Sequence, residues 1–257
     1  MLIDAHVHLN DPIFAECIDD VTRRAKDASV RTCIVTAYDG ESLLVTRRLA
    51  HLWPGFIEPA YGIHPWFAGD WNKKTEETLI ACLEEGKPVG IGEIGLDFVK
   101  GKDNHSEQTH VFIKQLDLAV HYKLPVIIHC RKAFPMLHAI LADYVGRLRG
   151  VFHSFSGGVD WMKKLLPTGF YFSFSGSVTR PAGRRYHEMA RYVPQDRYLL
   201  ETDAPAIGIE GIEATPIEPA HLFRVAQKMS ELRGSPYELI CCQSTENAQR
   251  LFQLKKD

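Results

Sequence analysis

Eight short apolar segments recur along the chain, and an amphipathic stretch follows each of them. The segments are compact apolar runs rather than strict alternations, which is typical of strands covered on both faces. Alternation of strand and helix predicts a parallel sheet. Eight such units favour a single-domain α/β fold, a (β/α)8 TIM barrel over residues 1–257, and no GxGxxG follows the first strand to support a Rossmann-like sheet. The predicted strands are Leu2–Ala5, Thr32–Ala37, Ile57–Gly62, Val89–Ile94, Pro125–His129, Gly150–Phe155, Gly169–Phe174 and Tyr198–Thr202.

Three helices have clear sequence features. Asp11 followed by Pro12 predicts the start of a helix that extends to Ala28. A second helix is predicted over Ser106–Tyr122, with one face formed by Val111, Phe112, Gln115, Leu116 and Ala119. The capping box of Ser235–Glu238, with proline in the first turn, predicts the start of the last helix.

Charge and cysteine content restrict the classes of function. The chain has 30 Lys plus Arg against 32 Asp plus Glu, a net charge of -2, which excludes a protein that holds nucleic acid through global positive charge. A local basic groove remains possible. We expect a cytoplasmic protein without a membrane segment or an obligate protein partner, because the six cysteines form no CxxC pair and no basic, apolar leader begins the chain.

Six side chains able to bind metal fall at or just beyond the ends of predicted strands. The carboxyl ends of the strands of a TIM barrel open onto one face, so these side chains should converge. His6 and His8 are two residues apart in an extended segment and therefore point the same way. Imidazole with carboxylate suits zinc, manganese, iron or nickel, and no thiolate is placed for a structural cysteine site. The six residues are His6, His8, Glu93, His129, His153 and Asp203.

Six ligands can hold two ions if one carboxylate bridges them, and Glu93, midway in strand order, is the natural bridge. Two metal ions ~3.5–4 Å apart can activate a water and bind both the attacking and the leaving oxygen of a displacement. Each residue also has a structural interpretation: a buried histidine can be a satisfied polar group, Asp203 can cap a helix, and Glu93 can belong to an ion pair. Their joint placement at strand ends favours the metal centre.

The chain resembles the TatD family of metal-dependent deoxyribonucleases, a branch of the amidohydrolase-like barrels. The resemblance covers nearly the whole chain in the motifs Asp4–His8, Gly62–Pro65, Gly92–Asp97, Leu124–His129, His153–Gly157, Glu201–Pro205 and Glu246–Ala248. It implies a (β/α)8 fold and hydrolysis of DNA phosphodiesters with divalent metal. It also implies one ion at His6, His8, Glu93 and Asp203 and a second ion at Glu93, His129 and His153.

Further candidates concern catalysis and substrate. We expect Asp203 to orient or deprotonate the attacking water with Glu93 between the ions, and His64 to contact a phosphate or protonate the leaving group. The alternative for His64 is a turn histidine. Arg131 can bind a phosphate through its guanidinium or pair with Asp97, and Arg180, in a loop with two other arginines, can bind the substrate backbone or remain solvated.

Loop aromatics and one departure from the family pattern bear on the substrate. Tyr38, Trp66, Phe67 and Phe98 follow strands and can stack on bases, although such residues commonly pack beneath their own loops. Where the family usually carries Arg-Asn-Glu-Pro, this chain reads Pro216-Ile217-Glu218-Pro219. The expected substrate is therefore DNA or a small phosphodiester.

The preferred function is a phosphodiester hydrolase with two divalent ions, whether zinc, manganese or magnesium. One alternative is an amidohydrolase that acts on a small cyclic amide or ester with the same metals. The other is a non-catalytic interaction protein that keeps the barrel, which the complete set of six ligand residues disfavours.

Overall fold

A parallel sheet of eight strands, each paired with the next in sequence order, forms the centre of the molecule. The computed structural model describes residues 1–100, 104–213 and 216–255. A helix follows every strand, so the predicted (β/α)8 barrel is confirmed. The strands are β1 (Leu2–Val7), β2 (Val30–Thr36), β3 (Ile57–Tyr61), β4 (Gly90–Asp97), β5 (Val126–Arg131), β6 (Gly150–Phe152), β7 (Tyr171–Phe174) and β8 (Tyr198–Leu200).

The helices surround the sheet, and short 3₁₀ turns lie between several elements. Within the described ranges, no helix is both long and apolar enough to cross a membrane. The α-helices are α1 (Ile18–Asp27), α2 (Gly40–Leu52), α3 (Lys73–Glu85), α4 (His105–Tyr122), α5 (Phe134–Ala142), α6 (Gly158–Leu165), α7 (Arg184–Tyr192), α8 (Leu222–Arg233) and α9 (Tyr237–Phe252). The 3₁₀ turns are Pro12–Phe14, Pro65–Asp70, Leu166–Thr168, Gly176–Thr179 and Pro219–His221.

One predicted helix start is wrong, and one predicted helix cap does not form. Asp11 accepts a hydrogen bond from the Ile13 amide at 2.9 Å, but it caps only a short 3₁₀ turn, and the α-helix begins later. The hydroxyl of Ser235 does not cap α9; it donates to the Arg233 carbonyl at 3.4 Å. Pro236 is itself the residue that precedes the helix, which leaves Ser235 one position too early to reach the first-turn amides.

The two ends of the sheet meet through the Asp4 carboxyl group, at a seam between β1 and the segment after β8. Asp4 accepts from the Thr202 amide at 2.9 Å, and its other oxygen lies 2.6 Å from the Thr202 hydroxyl. Backbone hydrogen bonds continue the seam, from the Asp203 amide to the His6 carbonyl and from the His8 amide to the Ala204 carbonyl. Closure of the barrel therefore brings His6 and His8 next to Asp203.

An apolar layer fills the barrel beneath the site. It takes buried side chains from β1, β2, β3 and β5 to β8, and three more from α9. Because side chains two apart on a strand share a face, the residues two positions further along point above this layer. Ile127 thus precedes His129, and Val151 precedes His153. The same face of each strand therefore supplies an apolar residue to the layer beneath the site and, two positions later, a polar residue to the site itself.

Candidate metal centre

The Glu93 carboxylate lies at the middle of a buried cluster of imidazoles. Its Oε2 atom is 3.3 Å from Nε2 of His6 and 3.3 Å from Nε2 of His8. Its Oε1 atom is 2.8 Å from Nδ1 of His129, 2.8 Å from Nε2 of His153 and 3.4 Å from Nε2 of His64. The two carboxylate oxygens therefore face two different sets of ring nitrogens.

Asp203 joins the set on the Oε2 side. Its Oδ1 atom lies 3.6 Å from Nε2 of His6 and 3.7 Å from Nε2 of His8. The backbone of Asp203 is left-handed, with φ of 54°, and this turn follows directly from the barrel seam. All six residues predicted to bind metal are thus brought into one cluster.

The donor atoms fit a divalent cation. The Nε2 atoms of His6 and His8 are 3.2 Å apart, and Nδ1 of His129 is 3.3 Å from Nε2 of His153. When a cation replaces the protons on these rings, the two nitrogens of each pair present their lone pairs to the same buried space. Three groups of ligand atoms within 4.8 Å of one another arise here, all of nitrogen and carboxylate oxygen. That donor chemistry suits zinc or manganese better than an all-oxygen magnesium site.

Burial sets the electrostatics of the metal-free cluster. It lowers the pKa of His6 to about 4, helped by the neighbouring charge of His153, so this imidazole is neutral and free to bind metal. Burial also raises the pKa of Asp203 to about 7. Burial opposes ionisation of Glu93 as well, but the surrounding histidines, His153 foremost, hold its pKa well below the usual value.

Two acidic residues that the sequence analysis did not assign lie behind the cluster. Asp97 Oδ2 is 3.2 Å from Nε2 of His129, and Glu201 Oε1 is 3.3 Å from Nδ1 of His153. Glu201 also accepts from the Ser154 amide at 2.7 Å. Both acids lie at strand ends within the motifs that carry the family resemblance, and this position could have identified them as site residues from the sequence.

His64 combines the two roles considered for it. Its Nδ1 atom accepts a hydrogen bond from the Trp66 amide at 3.1 Å and so begins the Pro65–Asp70 turn. Its Nε2 atom faces Glu93, and burial lowers its pKa to about 4. In the neutral ring the proton must therefore sit on Nε2, directed into the cluster.

The predicted phosphate-binding arginines lie beside the cluster rather than in it. Arg131 and Arg180 are exposed and line a groove of about 780 Å³ together with Lys132 and Arg185. In the part of the chain that the structure describes, Arg131 makes no ion pair with Asp97, whose carboxylate instead accepts from the Trp66 indole at 2.8 Å.

The loop aromatics separate into two groups. Tyr38, Trp66 and Phe67 line a smaller cavity of about 310 Å³ next to the cluster. Phe98 stacks on the ring of His105, with centroids 3.7 Å apart, and does not line this cavity.

The segment that departs from the family pattern is attached to α1. Glu218 accepts two hydrogen bonds of 2.8 Å from the guanidinium of Arg24. Its amide also donates to the ring of His221 at 3.0 Å. Glu218 thus anchors this segment through structural contacts.

A parallel barrel whose strand ends gather five imidazoles and two carboxylates defines a metal-dependent hydrolase. The chain matches the model of the TatD related DNase family over residues 3–253, and it belongs to that family. It therefore acts on phosphodiester bonds as a metal-dependent nuclease.

Individual relatives agree with this assignment. The "3'-5' ssDNA/RNA exonuclease TatD" of Pantoea vagans is 32% identical over 98% of this chain and 100% of its own length. The "uncharacterized metal-dependent hydrolase YabD" of Bacillus subtilis is 33% identical over 99% and 100%. The crystal structure of YJJV, a TatD homolog from Escherichia coli K12, superposes with a TM-score of 0.93 at 30% identity, covering 99% of this chain and 98% of that one.

Proposed function

We propose that this protein removes nucleotides from the 3′ end of single-stranded DNA or RNA with the help of two divalent metal ions. The observation that carries the proposal is the Glu93 carboxylate, whose two oxygens face separate groups of imidazoles. The substrate and the direction are those named for the Pantoea relative.

The two oxygens of Glu93 suggest how the ligands are divided. One ion would be held by His6, His8, Asp203 and Glu93, and the other by His129, His153 and Glu93. Zinc or manganese fits these mixed donors best. When bound, such ions polarise phosphoryl oxygens and lower the pKa of water.

The chain's own side chains then handle protons and charge. Asp203, which faces His6 and His8 at the end of the barrel seam, accepts a proton from the attacking water at a carboxylate oxygen. His64 donates from Nε2 to a phosphate oxygen or to the leaving oxygen. Arg131 and Arg180 bind phosphates of the neighbouring nucleotides from the larger groove.

The test compares variants loaded with manganese or zinc on a 5′-labelled single strand. Glu93→Gln should lower turnover by more than the ~10–100-fold that loss of an outer partner of a metal site costs, and metal analysis should show fewer bound ions. Glu77→Gln, on the exposed face of α3, is the matched control and should behave as wild type. Full activity in Glu93→Gln, or hydrolysis of cyclic amides without cleavage of the strand, would contradict the proposal.

We also propose that residues 1–257 form one domain and that the protein is cytoplasmic. The first point is supported by the continuous sheet and by α9, which packs back against β1 and β8. The second is supported by the cysteines, all six of which are free thiols, as expected in a reducing compartment.

A further inference from the structure

Two cavities of different size meet at the metal centre. The smaller one, of about 310 Å³, extends toward Tyr38 and Phe67, and the larger one, of about 780 Å³, extends toward α6 and α7. Both are lined by His129, His153 and Asp203. A phosphodiester cleaved at the centre would therefore place one side of the substrate in each cavity.

The cavities differ in charge. The larger one is lined by Arg131, Lys132, Arg180 and Arg185, which suits a chain of phosphates. Among the described residues, no lysine or arginine lines the smaller cavity, and Asp11 adds a carboxylate beyond those of the centre. Lys100 lies over the ring of Trp66, 3.8 Å from its centroid, but is not part of the lining.

Aromatic side chains line the smaller cavity, as is typical of sites that bind nucleic-acid bases. The rings of Tyr38 and Phe67 lie 5.7 Å apart, and the ring of Tyr38 also contacts His8 of the metal centre. Aromatic side chains hold bases by stacking regardless of base identity. The volume is at the lower end of small-molecule sites, enough for one nucleoside rather than an oligonucleotide.

Resting on the proposed function, we infer that the smaller cavity holds the 3′-terminal nucleoside with a free 3′-hydroxyl, and that it excludes a 3′-phosphate. An internal nucleotide carries a phosphate on each side, whereas the last one carries only the phosphate being cleaved. A further phosphate, on the far side of the nucleoside from the metal centre, would meet Asp11 and, among the described residues of the lining, no lysine or arginine, so its charge would be costly to bury. The rest of the strand lies among the cations of the larger cavity.

The proposed cleavage leaves the phosphate on the released nucleoside. The water oxygen forms a bond to phosphorus, and the bond from phosphorus to the 3′-oxygen of the penultimate nucleotide breaks. That oxygen takes a proton and becomes the new 3′-hydroxyl. The released product is a nucleoside 5′-monophosphate, and the shortened strand again ends in a 3′-hydroxyl.

The experiment uses the manganese-loaded protein and two 5′-labelled single strands of one sequence, one ending in a 3′-hydroxyl and the other in a 3′-phosphate. We expect the first product to be shorter by one nucleotide and the 3′-phosphate strand to be cleaved at least tenfold more slowly. The ratio of interest is the cleavage rate of the 3′-hydroxyl strand divided by that of the 3′-phosphate strand. Asp11→Asn keeps the side-chain oxygen that caps the 3₁₀ turn and should lower this ratio severalfold. Arg180→Gln should slow both strands and leave the ratio unchanged.

Asp39→Asn is the matched control, because Asp39 also caps a helix through its side chain but lines neither cavity. Its ratio should equal that of wild type. Phe67→Ala should raise KM for the 3′-hydroxyl strand about tenfold through lost stacking. Equal cleavage of the two strands, or an Asp11→Asn ratio like that of wild type, would overturn the inference while the nuclease activity stands. Failure to cleave either strand would overturn both.

Discussion

At the scale of single residues, two carboxylates outside the cluster decide which ring nitrogens face Glu93. A neutral imidazole carries one N–H, and the carboxylate that receives it leaves the other nitrogen free to bind a cation. Asp97 lies against Nε2 of His129, so that ring presents Nδ1. Glu201 Oε1 lies 3.3 Å from Nδ1 of His153, close to but not aligned for a hydrogen bond, and Nε2 of that ring faces Glu93.

Replacement of Glu201 by glutamine tests this positioning. The amide keeps the shape of the side chain but cannot act as a charged acceptor, and we expect metal affinity to fall by about 10–100-fold. Titration calorimetry of metal-stripped protein with manganese or zinc measures the loss, and excess metal should restore part of kcat. Glu238→Gln, exposed on α9, is the control. An unchanged metal affinity in Glu201→Gln would assign Glu201 to the scaffold alone.

The clustering of the six residues predicted to bind metal could be foreseen, because their positions at strand ends bring them together. The roles of Asp97 and Glu201 were not, because they depend on the direction of individual rings. The sequence permits Asp97 to pair with Arg131, and only the fold shows that His129 and Trp66 occupy its carboxylate.

At the scale of secondary-structure elements, α4 holds the loops that carry site residues. Gln115 accepts from the Ile63 amide at 2.7 Å and donates to the Ile63 carbonyl at 3.0 Å, immediately before His64. Gln108 does the same for the backbone of Asp97, at 2.9 and 3.0 Å. Two buried side chains of one helix therefore fix the ends of β3 and β4.

Gln115→Met should remove this support with little change in volume. The Ile63 amide and carbonyl would be left buried without partners, and we expect the free energy of unfolding to fall by about 1–3 kcal/mol. Urea denaturation of the metal-free protein measures it. Lys114→Met, on the exposed side of the same helix, should stay within about 0.5 kcal/mol of wild type. Equal stability of the two variants would show that water replaces the amide.

Element order was predictable, whereas element ends were less so. Apolar runs separated by helical spacing predicted the eight strand–helix units that the structure shows. The helix spacing placed Gln115 on the inward face, but its partner lies 52 positions away in sequence and has no local pattern. The short 3₁₀ turn after Asp11 and the start of α9 without a side-chain cap also differ from what local capping rules predict.

At the scale of the whole molecule, the buried Asp4 carboxyl group helps to join the two ends of the barrel. Burial raises the pKa of Asp4 to about 8, so its carboxyl is protonated at neutral pH in the folded protein. One oxygen of the carboxyl group then accepts a hydrogen bond from the Thr202 amide. The other oxygen and the Thr202 hydroxyl form a second hydrogen bond. The side-chain amide of an asparagine at this position could accept from the Thr202 amide through its oxygen and donate to the Thr202 hydroxyl through its nitrogen.

We therefore expect Asp4→Ala and Asp4→Asn to differ. Asp4→Ala leaves the Thr202 groups unpaired and should lower the free energy of unfolding by about 1–3 kcal/mol, whereas Asp4→Asn should cost distinctly less. The urea midpoints of metal-free proteins at neutral pH compare them directly. Equal losses would mean that the seam requires an ionised carboxylate.

The balance between global and local charge gives the last prediction. With a net charge of -2 the molecule as a whole does not attract nucleic acid, so we expect phosphates beyond the scissile one to be bound by the four cationic side chains of the larger cavity. Single strands release counterions with a slope of about −0.7 per neutralised phosphate, so four contacts predict that the logarithm of affinity falls with that of salt concentration at a slope of about −3. KM, measured over a potassium chloride series, reports this affinity. In Arg180→Gln, which loses one of the four cations, the slope should become about −2. A flat series would mean that the groove does not bind a strand, and that a small phosphodiester is the substrate.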